Sequence, residues 1–252
     1  MIKRDELCAF LDETLDIAGC EDASNNGLQV EGSAEVSRIV FGVDACVALF
    51  DQAAAAKADF VIVHHGLSWK DSLKYLTGVN ASRVAPLFRK NMSLYAAHLP
   101  LDRHHIYGHN KCIAEMLGFQ QMAPFFEYHG VTIGFQGLLP EALSLAELTR
   151  RVDEYLDTTS RPLDMRRAPI QRVGVVSGGA ADAVEDSARL GLDCLVTGEM
   201  DHAHYHTAAE CAIDVISAGH YRTEVPGLKA VMQLLQETYG VECMFIDIPT
   251  GF

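Results

Sequence analysis

The sequence lacks any run of 18 or more apolar residues, any Cys-x-x-Cys pair and any low-complexity stretch, and it is poor in positive charge. Each absence excludes something. Without a long apolar run, no segment spans a membrane as a helix. The seven cysteines (Cys8, Cys20, Cys46, Cys112, Cys194, Cys211 and Cys243) are scattered and odd in number. They form neither a disulfide framework nor a zinc ribbon, and a reducing cytoplasm is the expected compartment. Lys and Arg number 20 against 34 Asp and Glu, a formal net charge of −14. That balance speaks for solubility and against a nucleic-acid surface, while an anionic small substrate stays compatible if a local positive patch or a metal receives it. The opening MIKRDELCAFLDETL interrupts its apolar positions with charges, unlike a signal peptide.

What is present is an alternation of strand and helix patterns. Leu7, Phe10, Leu11, Leu15 and Ala18 recur at helical spacing over 3–18. After a turn-rich stretch, 38–44 reads as a strand, 46–57 as a helix, 59–63 as a strand, 82–91 as a helix and 93–98 as a strand. A helix over 109–118, ended by Gly118, a strand over 131–139 and a helix over 144–157 follow. After TSRPLDMRRAP the pattern restarts: strands over 172–177, 193–198, 214–219 and 241–247 alternate with helices over 180–190, 201–211 and 225–239. Such alternation implies an α/β fold of mainly parallel sheet flanked by helices. The restart reads as an internal pseudo-repeat. With Arg38 set against Arg172, Asp59 and Asp193 both lie 21 residues on. Two similar lobes are therefore expected, 1–124 and 125–252, with 161–170 as a short connector and the C-terminal segment free to cross back.

The chemistry concentrates at three strand ends. FVIVHHG ends in His64 and His65, SLYAAHLPLD carries His98 and Asp102, and DVISAGHYRTE carries His220 and Glu224. In parallel α/β sheets ligands gather beyond the carboxyl ends of strands. Neighbours on a strand point to opposite faces, so His64 and His65 share a cavity only if the chain has left the strand, which Gly66 can permit. Adjacent imidazoles then serve two metals. Three imidazoles and two carboxylates, His64, His65, Asp102, His220 and Glu224, suit Zn, Mn, Fe, Co or Ni better than Ca or Mg.

The segments NNGLQV (25–30), VIVHHGLSW (61–69), AAHLPLD (96–102), GHNKCIAEMLG (108–118), VTGE (196–199) and AGHYRTEVPG (218–227) resemble, in order and spacing, the GTP cyclohydrolase I type 2 homologues, also called NGG-one-interacting-factor-three-like proteins. The resemblance covers nearly the whole chain. It implies two similar lobes, a toroidal homohexamer, and a dinuclear metal centre facing its interior with the same five ligands. It also implies opening of the imidazole ring of GTP. The residues themselves specify only metal-assisted hydrolysis of an amide-like, ring-amidine or phosphoester bond. The competing reading is a non-catalytic scaffold for metal delivery or regulation.

Weaker signals surround this set. On a helix from Asp201, His202, His206 and Glu210 fall at i, i+4 and i+8, and counting from Gly198 the family's recurrent histidine corresponds to His206. His206 and His98 are candidate proton shuttles or supports of the ligands. His104, His105 and His109 follow Asp102 in a loop, solvated or at a rim. SGGAAD (177–182) reads as a tight turn or a phosphate cradle. Trp69 can stack on a heterocycle or pack at a contact, and Arg222 can meet an anionic substrate or neutralise a carboxylate. The segment PFFEYHGVTIGF (124–135) offers an interface strand.

Overall fold

The structure, a computed structural model, describes residues 1–252. Along the first part of the chain run β1 (Ile2–Lys3), α1 (Arg4–Thr14), β2 (Gly27–Val30), β3 (Glu35–Val36), β4 (Arg38–Asp44), α2 (Val47–Ala55), β5 (Phe60–His65), α3 (Gly78–Lys90), β6 (Ser93–Ala96) and α4 (Leu99–Asp102). Then come α5 (His109–Met116), β7 (Gln120–Tyr128), β8 (Val131–Leu143), α6 (Leu145–Leu156), β9 (Arg161–Leu163), β10 (Ile170–Val176), α7 (Ala183–Arg189), β11 (Cys194–Thr197), α8 (Tyr205–Glu210), β12 (Asp214–Ser217) and α9 (His220–Thr223). The chain ends with α10 (Pro226–Tyr239) and β13 (Glu242–Phe245). No helix is long and apolar enough to cross a membrane, and no two cysteines are joined.

Two compact units result, Met1–Leu101 with Leu228–Ile248, and Asp102–Gly227 with Pro249–Phe252. The first unit thus ends at Leu101, ahead of the division at 124 read from the sequence. The reason lies in strand pairing, since β7 pairs antiparallel with β8 in the second unit's sheet while β13 returns to pair with β4.

In the first unit the sheet runs β13-β4-β5-β6-β2, parallel throughout except for the antiparallel edge β2. RIVFGVD and FVIVHH are rich in β-branched and aromatic residues and are buried along nearly their whole length, as strands covered on both faces must be. Phe50, Leu49, Val61, Val63, Leu87 and Leu94 form one core in which α2 and α3 cover the sheet. Burying each such side chain contributes about 1.5–3 kcal/mol.

In the second unit the sheet runs β7-β8-β10-β11-β12-β9. Only β10-β11 and β11-β12 are parallel; the other pairings are antiparallel. The sheet is mixed, because the hairpin β7-β8 and the short edge strand β9 flank the parallel centre. The expected connector 161–170 therefore contains a strand, β9, lying against β12. Ser144 caps α6 by accepting the Glu147 N–H at 3.2 Å, the Ser-x-x-Glu arrangement that starts helices.

The pseudo-repeat holds in detail. In the first unit the Asp59 carboxylate accepts the N–H groups of Ser37 and Arg38; in the second, Asp193 accepts those of Gln171 and Arg172. Ile39 pairs with Phe60 and Phe60 with Ser93, as Val173 pairs with Cys194 and Cys194 with Asp214. One βαβαβ plan was used twice.

Candidate metal-binding residues in each unit

In the first unit β5 continues through both histidines, with His65 paired to Asp44 of β4. The strand does not end before them, and Gly66 is not in a left-handed conformation. Gly66 is instead required by crowding, since a Cβ there would come within 2.4 Å of the Gln29 amide nitrogen and 2.6 Å of the Ala96 Cβ. The Gln29 carbonyl oxygen accepts the N–H of Leu67 at 2.7 Å and of Ser68 at 3.0 Å, latching the loop that follows the histidines.

The rings come together because their other nitrogens are tied to different neighbours. Nδ1 of the fully buried His64 lies 2.9 Å from the Ala97 carbonyl oxygen. Nδ1 of His65 lies 2.8 Å from the Asp44 carboxylate, and Nδ1 of His98 lies 3.0 Å from Asp22. Carbonyl and carboxylate oxygens only accept, so each Nδ1 carries the proton and Nε2 is the acceptor nitrogen, the tautomer a metal ligand needs. The His64 and His65 ring centres are 4.7 Å apart with planes tilted by 54°. His64, His65 and His98 offer ring nitrogens all within 4.8 Å of one another. His98 is therefore as well placed to bind a metal as the histidine pair.

His98 is held by residues of the turn-rich stretch that precedes β2. The Asn26 side-chain oxygen accepts its backbone N–H at 2.8 Å. Asp22 accepts from the His98 ring, the Leu99 N–H, the Asn26 amide and the Ser24 N–H. Burial works to raise the Asp22 carboxyl, but the His98 hydrogen bond and charge and these other donors outweigh it, leaving its pKa at about 2. Trp69 packs edge-on against His98, ring centres 4.9 Å apart, and donates its indole N–H to the Gly66 carbonyl.

In the second unit Asp102 ends α4 and is buried, accepting the Ser177 hydroxyl at 2.8 Å. Asn110 ties this corner together, accepting the Ser177 N–H and donating to the Asp102 and Ile133 carbonyls. His109 is not at a rim. It opens α5, is fully buried and lies with a ring nitrogen within 4.8 Å of an Asp102 oxygen. Its Nδ1 accepts the Gly227 N–H at 3.0 Å, so in the neutral ring the proton sits on Nε2. His109 is thus built as a hydrogen-bond donor. His104 is also buried, its Nδ1 accepting the N–H groups of Ile106 and Tyr107.

His220 opens α9. Its Nδ1 meets Glu199 at 2.7 Å and its Nε2 meets the buried Glu224 at 3.1 Å. Burial opposes protonation, yet the hydrogen bonds and charges of Glu224 and Glu199 prevail and push His220 up to about 9. Gly178, at φ +68, lets the chain pass beside this pair, for a Cβ there would lie 2.6 Å from Glu224 Oε1. The Gly178 N–H goes to Thr223 Oγ1 at 3.0 Å, so 177–182 serves as a tight turn bound to α9.

Helix α8 starts only at Tyr205, so it carries His206 and Glu210 at i and i+4 and leaves His202 outside it. His206 is exposed and packs edge-on against Tyr205 at 5.4 Å between ring centres.

Comparison with known proteins places the whole chain in one family. A family model described as Duf34/NIF3 (NGG1p interacting factor 3) matches residues 2–251. A protein from Pyrococcus abyssi named GTP cyclohydrolase 1 type 2 homolog is 43% identical over 251 residues, 99% of this chain and 100% of that one. The solved structure of protein ybgI, described as of unknown function, is similar at a TM-score of 0.93 and 34% identity, covering 100% of both chains. The crystal structure of TTHA1606 from Thermus thermophilus matches at a TM-score of 0.90 and 35% identity over 100% of both.

Proposed function

The chain belongs to the Duf34/NIF3 family, and from that premise we propose that it is a metal-dependent hydrolase. In this reading His64, His65, Asp102, His220 and Glu224 hold two divalent ions. The observation that carries it is the anchoring of the imidazoles. His64, His65 and His220 each direct Nδ1 to a carbonyl or carboxylate, the outer partner that fixes a ligand's ring and tautomer. The donors fit such ions, since imidazole and carboxylate without thiolate favour Zn, Mn, Fe, Co or Ni.

Bound divalent ions would supply activation of water near neutral pH and polarisation of the scissile group. The chain's own part is positional and protolytic. Asp44 and Glu199 orient His65 and His220, and Ser177 orients the Asp102 carboxylate. His98, braced by Asp22, offers a ring for proton transfer. The names of the relatives support a nucleotide, GTP among them, as substrate. The reading extends to a cytoplasmic homohexamer, which light scattering checks.

The test is elemental analysis of protein purified without added metal, joined to a turnover screen of nucleotides and phosphoesters. Two ions per chain and a consumption rate abolished in His65→Ala support the hydrolase. Metal bound at that stoichiometry with no compound consumed supports the non-catalytic scaffold instead, and protein purified without metal that takes none up ends both.

A further inference from the structure

A cleft of about 530 Å³ lies within the second unit at the carboxyl end of β12. That is where open α/β sheets receive ligands, and its volume is that of a small-molecule site. Two guanidiniums line it, Arg161 and Arg222. They come from different elements. Arg161 begins the edge strand β9 and pairs with Ser217, the last residue of β12; Arg222 lies on α9, two residues past His220. The antiparallel turn-back of β9 is what brings the first arginine to the end of the strand that delivers His220.

The cleft is lined by two arginines and by Glu199, one oxygen of which is engaged by His220 Nδ1. Arg222 lies 3.8 Å from the exposed Asp157 carboxylate and 5.8 Å from the centre of the Tyr221 ring. Thr158, Thr159 and Ser217 also line it. One wall is closed by the last residues, the Phe252 carbonyl accepting the Tyr221 N–H at 3.2 Å.

We propose that this cleft binds the phosphate group of a small organic molecule, with Arg161 and Arg222 as its counter-charges. Two planar guanidiniums match the many oxygens of a phosphate better than the two of a carboxylate. Glu199 links the cleft to His220, so a molecule anchored here extends toward the proposed metal ligands. That the molecule is the substrate rests on the hydrolase reading; that the cleft takes phosphate does not.

The experiment is calorimetric titration of the full chain, stripped with chelator and again metal-loaded, with GTP, ribose 5-phosphate, inorganic phosphate and citrate. A phosphate compound is expected to saturate the wild type, the choice among the three showing whether nucleoside, sugar or bare phosphate is preferred. Arg161→Gln and Arg222→Gln are each expected to weaken it about ten-fold, with Arg89→Gln unchanged and zinc uptake unaltered throughout. Should a glutamine variant fail to fold, Arg161→Lys and Arg222→Lys are the measure, with a smaller loss as the bidentate contact goes. No saturation by any phosphate in either state, equal affinity in all variants, or tighter binding of citrate than of every phosphate would overturn the proposal. Normal metal uptake with no phosphate binding sinks this inference alone; phosphate binding that depends on the arginines in protein that takes up no metal sinks only the hydrolase.

Discussion

The amide of Gln29 occupies the space that any side chain on residue 66 would need, 2.4 Å from where a Cβ would stand. Together with the Ala96 Cβ at 2.6 Å, this residue of the NNGLQV segment dictates glycine after the histidine pair, and it holds the Leu67 and Ser68 N–H groups in place.

Gly66→Ala is expected to cost about 1–3 kcal/mol by overpacking, read as a lower denaturant midpoint. Gln29→Ala removes the Gln29 share of the clash and the latch while leaving the Ala96 contact, so the double variant should lose less than the sum of the two singles. Additive losses would show that the contact does not matter.

Asp44→Asn and Glu199→Gln test the ring anchors. Each is expected to lower metal affinity by about 10–100-fold in a chelator competition while leaving the fold intact, as loss of an outer carboxylate does elsewhere. Unchanged affinity in both would remove the observation on which the proposed function stands.

Acid stability should report on Asp22. Its folded pKa, about 2, lies below the unfolded value near 3.9. The carboxylate therefore contributes stability in full above about pH 4, and the contribution fades as pH falls through 2. In metal-free protein, Asp22→Asn should lose on the order of 2 kcal/mol at neutral pH and show a flatter stability curve between pH 4 and 2. A curve parallel to that of the wild type refutes the assignment.

The repeat predicts matched behaviour at Asp59 and Asp193, each of which accepts two backbone N–H groups at the start of its unit's first long parallel strand. Asp59→Ala and Asp193→Ala should each cost about 1–3 kcal/mol, measured by chemical denaturation. Asp193, which also pairs with Arg166 at 2.8 Å, should show the larger loss.

Much of this was legible in residue order. The alternating pattern named the parallel centres of both sheets, and the spacing of Arg38 to Asp59 against Arg172 to Asp193 named the repeat, because local periodicity and chain length determine such features. The hairpin strand β7 was read only in its second half, within 124–135, and the edge strand β9 was missed. Gln120–Tyr128 has no clean alternation, with a register shift between Gln120 and Ala123 and positive φ at Gln121 and Phe126, and Arg161–Leu163 is three residues led by Arg-Pro. The helix expected from Asp201 shrank to Tyr205–Glu210 because Asp201 accepts the His204 N–H and ring, a local bond that competes with the helix ladder.

What the sequence determined by itself was the list of donors and the strand ends that carry them, since residue type and period are local properties. Which nitrogen of each histidine faces outward, the burial of His109, the bracing of His98 by Asp22 and the meeting of Arg161 with Ser217 came only from the tertiary structure. Each depends on a hydrogen bond or a pairing between residues far apart along the chain, and no spacing rule encodes those.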